Sequence, residues 1–268
     1  MLKALFTDID GTLFTSELTI SEKTRKAIKK AHDMGVLIVL SSGRYITGMR
    51  RAQEQLDIPV IYAAINGALI KDGDEYIREN MIDKDAYRQA AAFLKGKASS
   101  LIAFTENRFA IDADDEWYFR QNRICGDTGV RMDISDPDEV ERKTGERPYK
   151  ILLKDNDRDK INRLLHELDE MLEGRTKVLS SGWNNIEVLP YGNDKKDAVR
   201  IIADRYSIKR DEIIAFGDWD NDAGMIKTAG IGVAMANGSD KAKAAADYVT
   251  LSNDDDGIAH ALERYLFS

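Results

Sequence analysis

The feature that most constrains the fold is an alternation of strand-length apolar runs with helical patterns at both ends of the chain. "LKALFT" (2–7) is a short apolar run, and in residues 21–34 Ala27, Ile28, Ala31 and Met34 then recur at helical spacing. Ser21 or Thr19 can cap that helix, with Glu22 completing a capping box to Thr19, and Gly35 closes it. "VLIVL" (36–40) and "VIYAAI" (60–65) follow as two more buried strands. This strand–helix–strand succession predicts an α/β fold whose parallel sheet is covered on both faces.

The same succession returns near residue 195. A helix is expected over about 195–206, then a strand at "EIIAF" (212–216) and another at "GIGVAM" (230–235). A helix over 239–246, "YVTL" (248–251) and an amphipathic helix from about 257 complete it. Between them the pattern changes: "YKILLK" and "NIEVLP" read as alternating or edge strands, with a helix over 158–173. Two domains are therefore expected, a core of 1–82 and 190–268 and an α+β insert of 83–189, which suits 268 residues.

Composition narrows the function. A net charge of −8 argues against nucleic-acid or anionic-membrane partners, which call for a basic face. The apolar runs fall far short of the ~20 residues that span a bilayer, and Asp8 and Asp10 interrupt any signal-peptide core. A single cysteine, Cys125, permits no internal disulfide and has no catalytic motif around it, so a cytoplasmic protein is expected.

Four stretches at strand ends or a helix start could carry chemistry, the edge where open α/β sheets bind ligands. In "DIDGT" (8–12), Asp8 and Asp10 stand two residues apart, so both carboxylates can face one spot, and Gly11 permits a sharp departure. "SSGR" (41–44) offers a hydroxyl and backbone N–H groups as a phosphate cradle, although a plain turn has the same composition. In "GNDKKDA" (192–198), Lys195 lies near a helix start, where its charge opposes the helix dipole; it reads as an anion clamp or as part of a solvated basic patch. "FGDWDNDAG" (216–224) packs three aspartates and an asparagine into five residues. Acids at that density repel, so a hard divalent cation such as Mg²⁺ is their natural partner. Competing motifs fail: there is no P-loop, the acidic stretches lack the glycine and glutamate of an EF-hand, and "HELDE" lacks the second histidine of a zinc protease. His32, His166 and His260 fall on expected helices and read as structural or surface residues.

Taken in order, these four stretches resemble the haloacid dehalogenase superfamily of aspartate-dependent phosphotransferases. The large insert is similar to the α/β cap of its Cof-type sugar-phosphate phosphatases. "NGA" (66–68), "GVAMANG" (232–238) and "SNDDDGIAHAL" (252–262) extend the match. The resemblance implies a Rossmann-like core with an inserted α+β cap, and a Mg²⁺-dependent phosphatase acting on small phosphorylated metabolites. Asp8 would be the nucleophile that forms an aspartyl-phosphate, and Asp10 the general acid and base. Asp8, the Asp10 carbonyl and Asp218 would hold Mg²⁺, with Asp222 in support. Ser42, Gly43, Lys195 and Asn221 would bind the phosphoryl group, with Arg44 and Asn66 at the rim.

Asp10 separates phosphatases and phosphomutases from the family's ion pumps, which carry threonine there. A phosphomutase or phosphotransferase would use the same residues with an alcohol acceptor, and a non-catalytic metal- or metabolite-binding regulator would not need them all. Lys196 and Gly238 depart from the usual glycine and alanine of relatives; Lys196 could alter phosphate affinity. In the insert, Trp117, Tyr118, Phe119 and Trp183 read as core aromatics rather than substrate contacts. The expected assembly is a monomer or weak homo-oligomer.

Overall fold

In chain order the strands and helices begin with β1 (Ala4–Thr7), α1 (Glu22–Asp33), β2 (Leu37–Ser41), α2 (Ile46–Leu56), β3 (Ile61–Ala64), β4 (Leu69–Asp72) and β5 (Glu75–Glu79). There follow α3 (Lys84–Leu94), β6 (Ser100–Phe104), β7 (Phe109–Ile111), α4 (Glu116–Cys125), β8 (Gly129–Arg131), α5 (Pro137–Thr144), β9 (Lys150–Lys154), α6 (Arg158–Met171), β10 (Thr176–Leu179) and β11 (Asn185–Pro190). The chain ends with α7 (Lys195–Tyr206), β12 (Ile213–Gly217), α8 (Ala223–Thr228), β13 (Ile231–Ala234), α9 (Asp240–Ala245), β14 (Tyr248–Val249) and α10 (Gly257–Tyr265). This computed structural model describes residues 1–268 apart from 98, 113–115, 127 and 183 and the side chains of 120, 124 and 125. Trp183 and the Cys125 thiol therefore lie outside the described residues. The chain divides into two units, one of Met1–Arg44, Met49–Arg78 and Asp194–Ser268, the other of Tyr45–Gly48 and Glu79–Asn193.

In the first unit the sheet runs β14-β13-β12-β1-β2-β3-β4-β5. From β14 to β3 every neighbour is parallel, as the strand–helix alternation predicts. Beyond that parallel run β4 returns antiparallel on β3, so the sheet is mixed toward that edge. β1 is central and wholly buried, with Leu5 opposite Ile38 on one side and Ile214 on the other. That explains its continuous apolar run, and its place between β2 and β12 makes its carboxyl end the switch point of the sheet. Phe6, Val39 and Ile61 pack against Val199 and Ile202 of α7, which fixes the helix that begins at Lys195. Helix α1 is capped by Ser21, whose hydroxyl accepts the Thr24 N–H at 3.1 Å, so Ser21 and not Thr19 is the cap. β3 stops at Ala64, short of the run read from sequence, because Ile65 and Asn66 turn left-handed at φ 52° and 53°.

The second unit has the sheet order β10-β11-β9-β6-β7-β8, antiparallel except where β7 meets β8. Leu101, Ala103, Ile151, Leu153, Ile186 and Val188 point to one face and pack on α3 and α6. Alternation sends Lys150 and Glu187 to the other face, where they form a buried ion pair at 3.0 Å. Ser181 also donates to Glu187 Oε1 at 2.7 Å, while Glu187 Oε2 is buried with no hydrogen-bond partner among the described residues. Breaking such a pair leaves a buried charge uncompensated. Glu187→Ala should thus lower stability by about 3–5 kcal/mol in urea unfolding, and the double variant Lys150→Met/Glu187→Leu should recover most of it. A single-variant loss below about 1 kcal/mol would place the pair among solvated surface pairs.

Trp117 meets Phe104 and Phe109 edge-on and Tyr118 meets Phe109, so both join an aromatic cluster as expected. Phe119 touches the cluster only at its margin, meeting Tyr118 edge-on while staying exposed, because two residues on from Trp117 the helix has turned about 200°. His32, His166 and His260 lie on α1, α6 and α10; His260 stacks on Tyr248. Among the described residues no helix is long and apolar enough to cross a membrane.

Candidate active site

Parallel pairing of β1 with β12 brings the residues that follow them to one edge of the sheet. Thr7 stands opposite Phe216, and the Asp8 N–H donates to the Phe216 carbonyl at 3.0 Å. Asp8 and Asp218, each next to its strand's end, are thereby neighbours. α7 supplies Lys195 at its first turn; the N-cap carboxylate of Asp194 accepts the Lys196 N–H and fixes that turn.

At the centre, Lys195 Nζ donates to Asp8 Oδ1 and Asp222 Oδ1, each at 2.5 Å. Lys195, Asp8 and Asp222 are all buried. Asp222 uses its other oxygen, Oδ2, to accept the N–H groups of Asp218 and Trp219 at 3.0 and 2.9 Å. It thus ties the acidic loop to the lysine. Thr12 donates to Asp218 Oδ1 at 2.5 Å. Gly11 has φ +81°, and a Cβ there would lie 2.5 Å from Asp218 Oδ2, so only glycine lets this loop lie against Asp218.

The electrostatics follow from burial. Asp8 is pushed well above the usual carboxylate range by desolvation; Lys195 opposes that shift, and Asp222, Asp218 and Asp10 add to it. Asp218 is pushed up to about 6, again mainly by desolvation, with the Thr12 hydrogen bond opposing and Asp222 adding. For Lys195 burial favours the neutral amine, but the adjacent Asp222 and Asp8 override it and hold the ammonium above the ordinary lysine value. Asp8, Asp218 and Asp222 can each offer an oxygen within 4.8 Å of the others. Three buried carboxylates against one buried ammonium leave negative charge uncompensated. The all-oxygen donor set fits a hard divalent cation.

Around this centre stand the remaining residues singled out from sequence. Asp10, which is half exposed, takes two hydrogen bonds from Arg44, Nε at 2.7 Å and Nη2 at 2.6 Å. Ser42 is buried after β2; its hydroxyl accepts the Arg44 N–H at 3.2 Å and its carbonyl accepts the Asn66 N–H at 2.9 Å. A Cβ on Gly43 would lie 3.5 Å from Asn66 Oδ1, and Asn221 Nδ2 donates to that same oxygen at 3.4 Å. The fold thus gathers Asp8, Asp218, Asp222 and Lys195 into one cluster, pairs Asp10 with Arg44, and links Ser42, Gly43, Asn66 and Asn221 through neighbouring loops. Thr12 was not singled out from sequence. Its signal was present, since it stands two residues beyond Asp10 in the same alternating loop.

The model for haloacid dehalogenase-like hydrolases matches residues 5–262. The chain is 30% identical over 290 residues to a 5-amino-6-(5-phospho-D-ribitylamino)uracil phosphatase of Bacillus subtilis, covering 99% of this chain and 98% of that protein. Among solved structures, a haloacid dehalogenase-like hydrolase of Bacteroides thetaiotaomicron superposes with TM-score 0.88 at 27% identity, covering 98% of this chain and 99% of the other. A subclass IIB sugar phosphatase of the superfamily superposes with TM-score 0.79 at 27% identity, covering 98% of both chains. The chain belongs to the haloacid dehalogenase-like hydrolases, with their Rossmann-like core, and it is a phosphatase of that family.

Proposed function

We propose that the enzyme hydrolyses small phosphorylated metabolites, sugar phosphates foremost, with Mg²⁺ and through an aspartyl-phosphate on Asp8. The buried Asp8–Lys195–Asp222 bridge beside Asp218 carries this reading. An Asp8 oxygen attacks phosphorus while the bond to the leaving alcohol breaks and Asp10 gives that oxygen a proton. Asp10 then takes a proton from water, whose oxygen attacks phosphorus and releases the Asp8 carboxylate. Lys195, Ser42, the Gly43 N–H and Asn221 hold the transferring group, and Arg44 orients Asp10 between its two proton transfers. Asp8, the Asp10 carbonyl and Asp218 would hold Mg²⁺, with Asp222 in support; when bound, it neutralises charge on the phosphoryl oxygens. Residues 83–189 are the cap that selects the substrate. The sugar-phosphate class is supported by the subclass IIB relative, whose name is that of a sugar phosphatase.

The test is inorganic phosphate release from a panel of phosphorylated metabolites, with Mg²⁺ and with chelator. Release confined to sugar phosphates and abolished by chelation is expected. Transfer to an isomeric ester without free phosphate would make the enzyme a mutase instead.

A pH-dependent metal effect should accompany activity. In the metal-free protein burial pushes the Asp218 carboxyl up to about 6, so its stabilising contribution is complete below about pH 4 and is lost as pH rises through about 6. Mg²⁺ competes with that proton, so the rise in Tm on adding Mg²⁺ should grow from pH 5 to pH 7.5. A shift equal at both pH values would take Asp218 out of the metal site.

A further inference from the structure

We infer that Asn237, oriented by Asn253, is a positioning residue that sets the spacing between the Asp10 loop and the Asp218 loop. The inference rests on the metal reading above, since those two loops are its proposed holders. Asn237 lies in the turn that follows β13. Its Nδ2 donates to the Gly11 carbonyl at 2.8 Å, next to Asp10. The Asn253 N–H donates to Asn237 Oδ1 at 3.1 Å, which decides which end of the amide faces Gly11. Asn253 reaches the same loop itself, donating from Nδ2 to the Phe14 carbonyl at 2.8 Å, and Asp254 accepts the Ser16 N–H at 2.8 Å.

The turn grips the second loop as well. The Ser239 N–H donates to the Asp218 carbonyl at 2.7 Å, and the Ser239 hydroxyl to Asp220 Oδ1 at 2.7 Å. A Cβ on Gly238 would lie 2.9 Å from the carbonyl oxygens of both Asp218 and Met235, so the backbone passes hard against Asp218. The alanine that many relatives carry at this position has no room here without a shift. Within three residues, then, one turn holds Gly11 by a side chain and Asp218 by its backbone. Mg²⁺ demands near-ideal octahedral geometry, so a small change in this spacing should weaken binding out of proportion to its effect on stability.

The experiment compares wild type with Asn237→Ala, Asn237→Asp, Asn253→Ala and the Asn237→Ala/Asn253→Ala double variant. Mg²⁺ affinity is read by calorimetry without substrate, and kcat and KM are read separately at saturating Mg²⁺. Asn237→Ala should weaken Mg²⁺ binding by about 10–100-fold and lower kcat, with KM changed less than about threefold. Asn237→Asp keeps the acceptor for Asn253 but sets a carboxylate against the Gly11 carbonyl, and should be at least as impaired. Asn253→Ala keeps the N–H that orients Asn237 and loses only the bond to the Phe14 carbonyl, so alone it should weaken Mg²⁺ binding less than Asn237→Ala, and the double variant should be at least as impaired as Asn237→Ala. Asp255→Ala, which breaks only a neighbouring bond to Ser252, should leave Mg²⁺ affinity and kcat unchanged. Wild-type Mg²⁺ affinity in a folded Asn237→Ala or Asn237→Asp protein overturns the inference alone; a wild-type enzyme that binds no Mg²⁺ overturns the metal reading with it. If Asn237→Ala does not fold, Asn237→Asp, which keeps the size of the side chain and the acceptor for the Asn253 N–H, decides by the same affinity measurement.

Discussion

Asp8→Asn should yield a folded protein whose phosphate release from any substrate is reduced on the order of 10⁴-fold or more. The amide is a poor nucleophile for phosphorus, while the side-chain shape and the strand end are kept. Its stability is the more discriminating readout. The Asp8 carboxyl is costly to ionise in place, because desolvation and three neighbouring acids outweigh what Lys195 returns. Without metal, at pH 7.5, the variant should therefore melt no lower than wild type. Near wild-type turnover removes Asp8 as the nucleophile; a collapse in Tm with it would show the carboxylate to be structural.

Lys195→Met should produce the opposite pairing of effects. It leaves Asp8 and Asp222 buried without the ammonium that bridges them, which costs about 3–5 kcal/mol, measurable in urea. Turnover should fall by about 10²–10³-fold as well, if Lys195 is the phosphoryl-binding cation proposed above. Excess Mg²⁺ should restore part of the stability, by supplying charge to the same carboxylates, and little of the turnover. Lys195→Arg is not a rescue: a planar guanidinium cannot take the compact bridging place of an ammonium. A Lys195→Met enzyme as stable as wild type and fully active would dissolve the cluster as a functional unit.

Comparison of the two variants shows what each residue's place in the pattern made legible. Asp8 and Asp218 follow continuous apolar runs that only buried strands of a parallel sheet produce, so their meeting at one edge was readable from sequence. Lys195 was readable because it stood at the wrong end of a helix for its charge. Two acids account for that placement. The Arg44–Asp10 pair was readable only as an even choice between rim residue and partner of a nearby acid, since nothing in spacing says which acid a long side chain finds. Thr12 and the Asn237–Asn253 link left less trace. Side-chain bonds between loops have no periodicity, and Asn253 lies 239 residues from the carbonyl it caps. The β4 return on β3 has no clear trace in the sequence because its short run is half polar, lying next to the edge strand β5 rather than in the middle of the sheet.

Ile65 and Asn66 carry one more consequence. Two successive left-handed residues, the first β-branched, cost about 1–3 kcal/mol each. The conformation persists because the Ile65 and Asn66 N–H groups reach back to the carbonyls of Arg44 and Ser42, both at 2.9 Å. The segment beside Ser42 therefore stores strain that its contacts hold in place. Its strained shape is held by those two bonds and by burial as complete as that of the strands behind it, so a substitution that frees either N–H would release the strain next to Ser42.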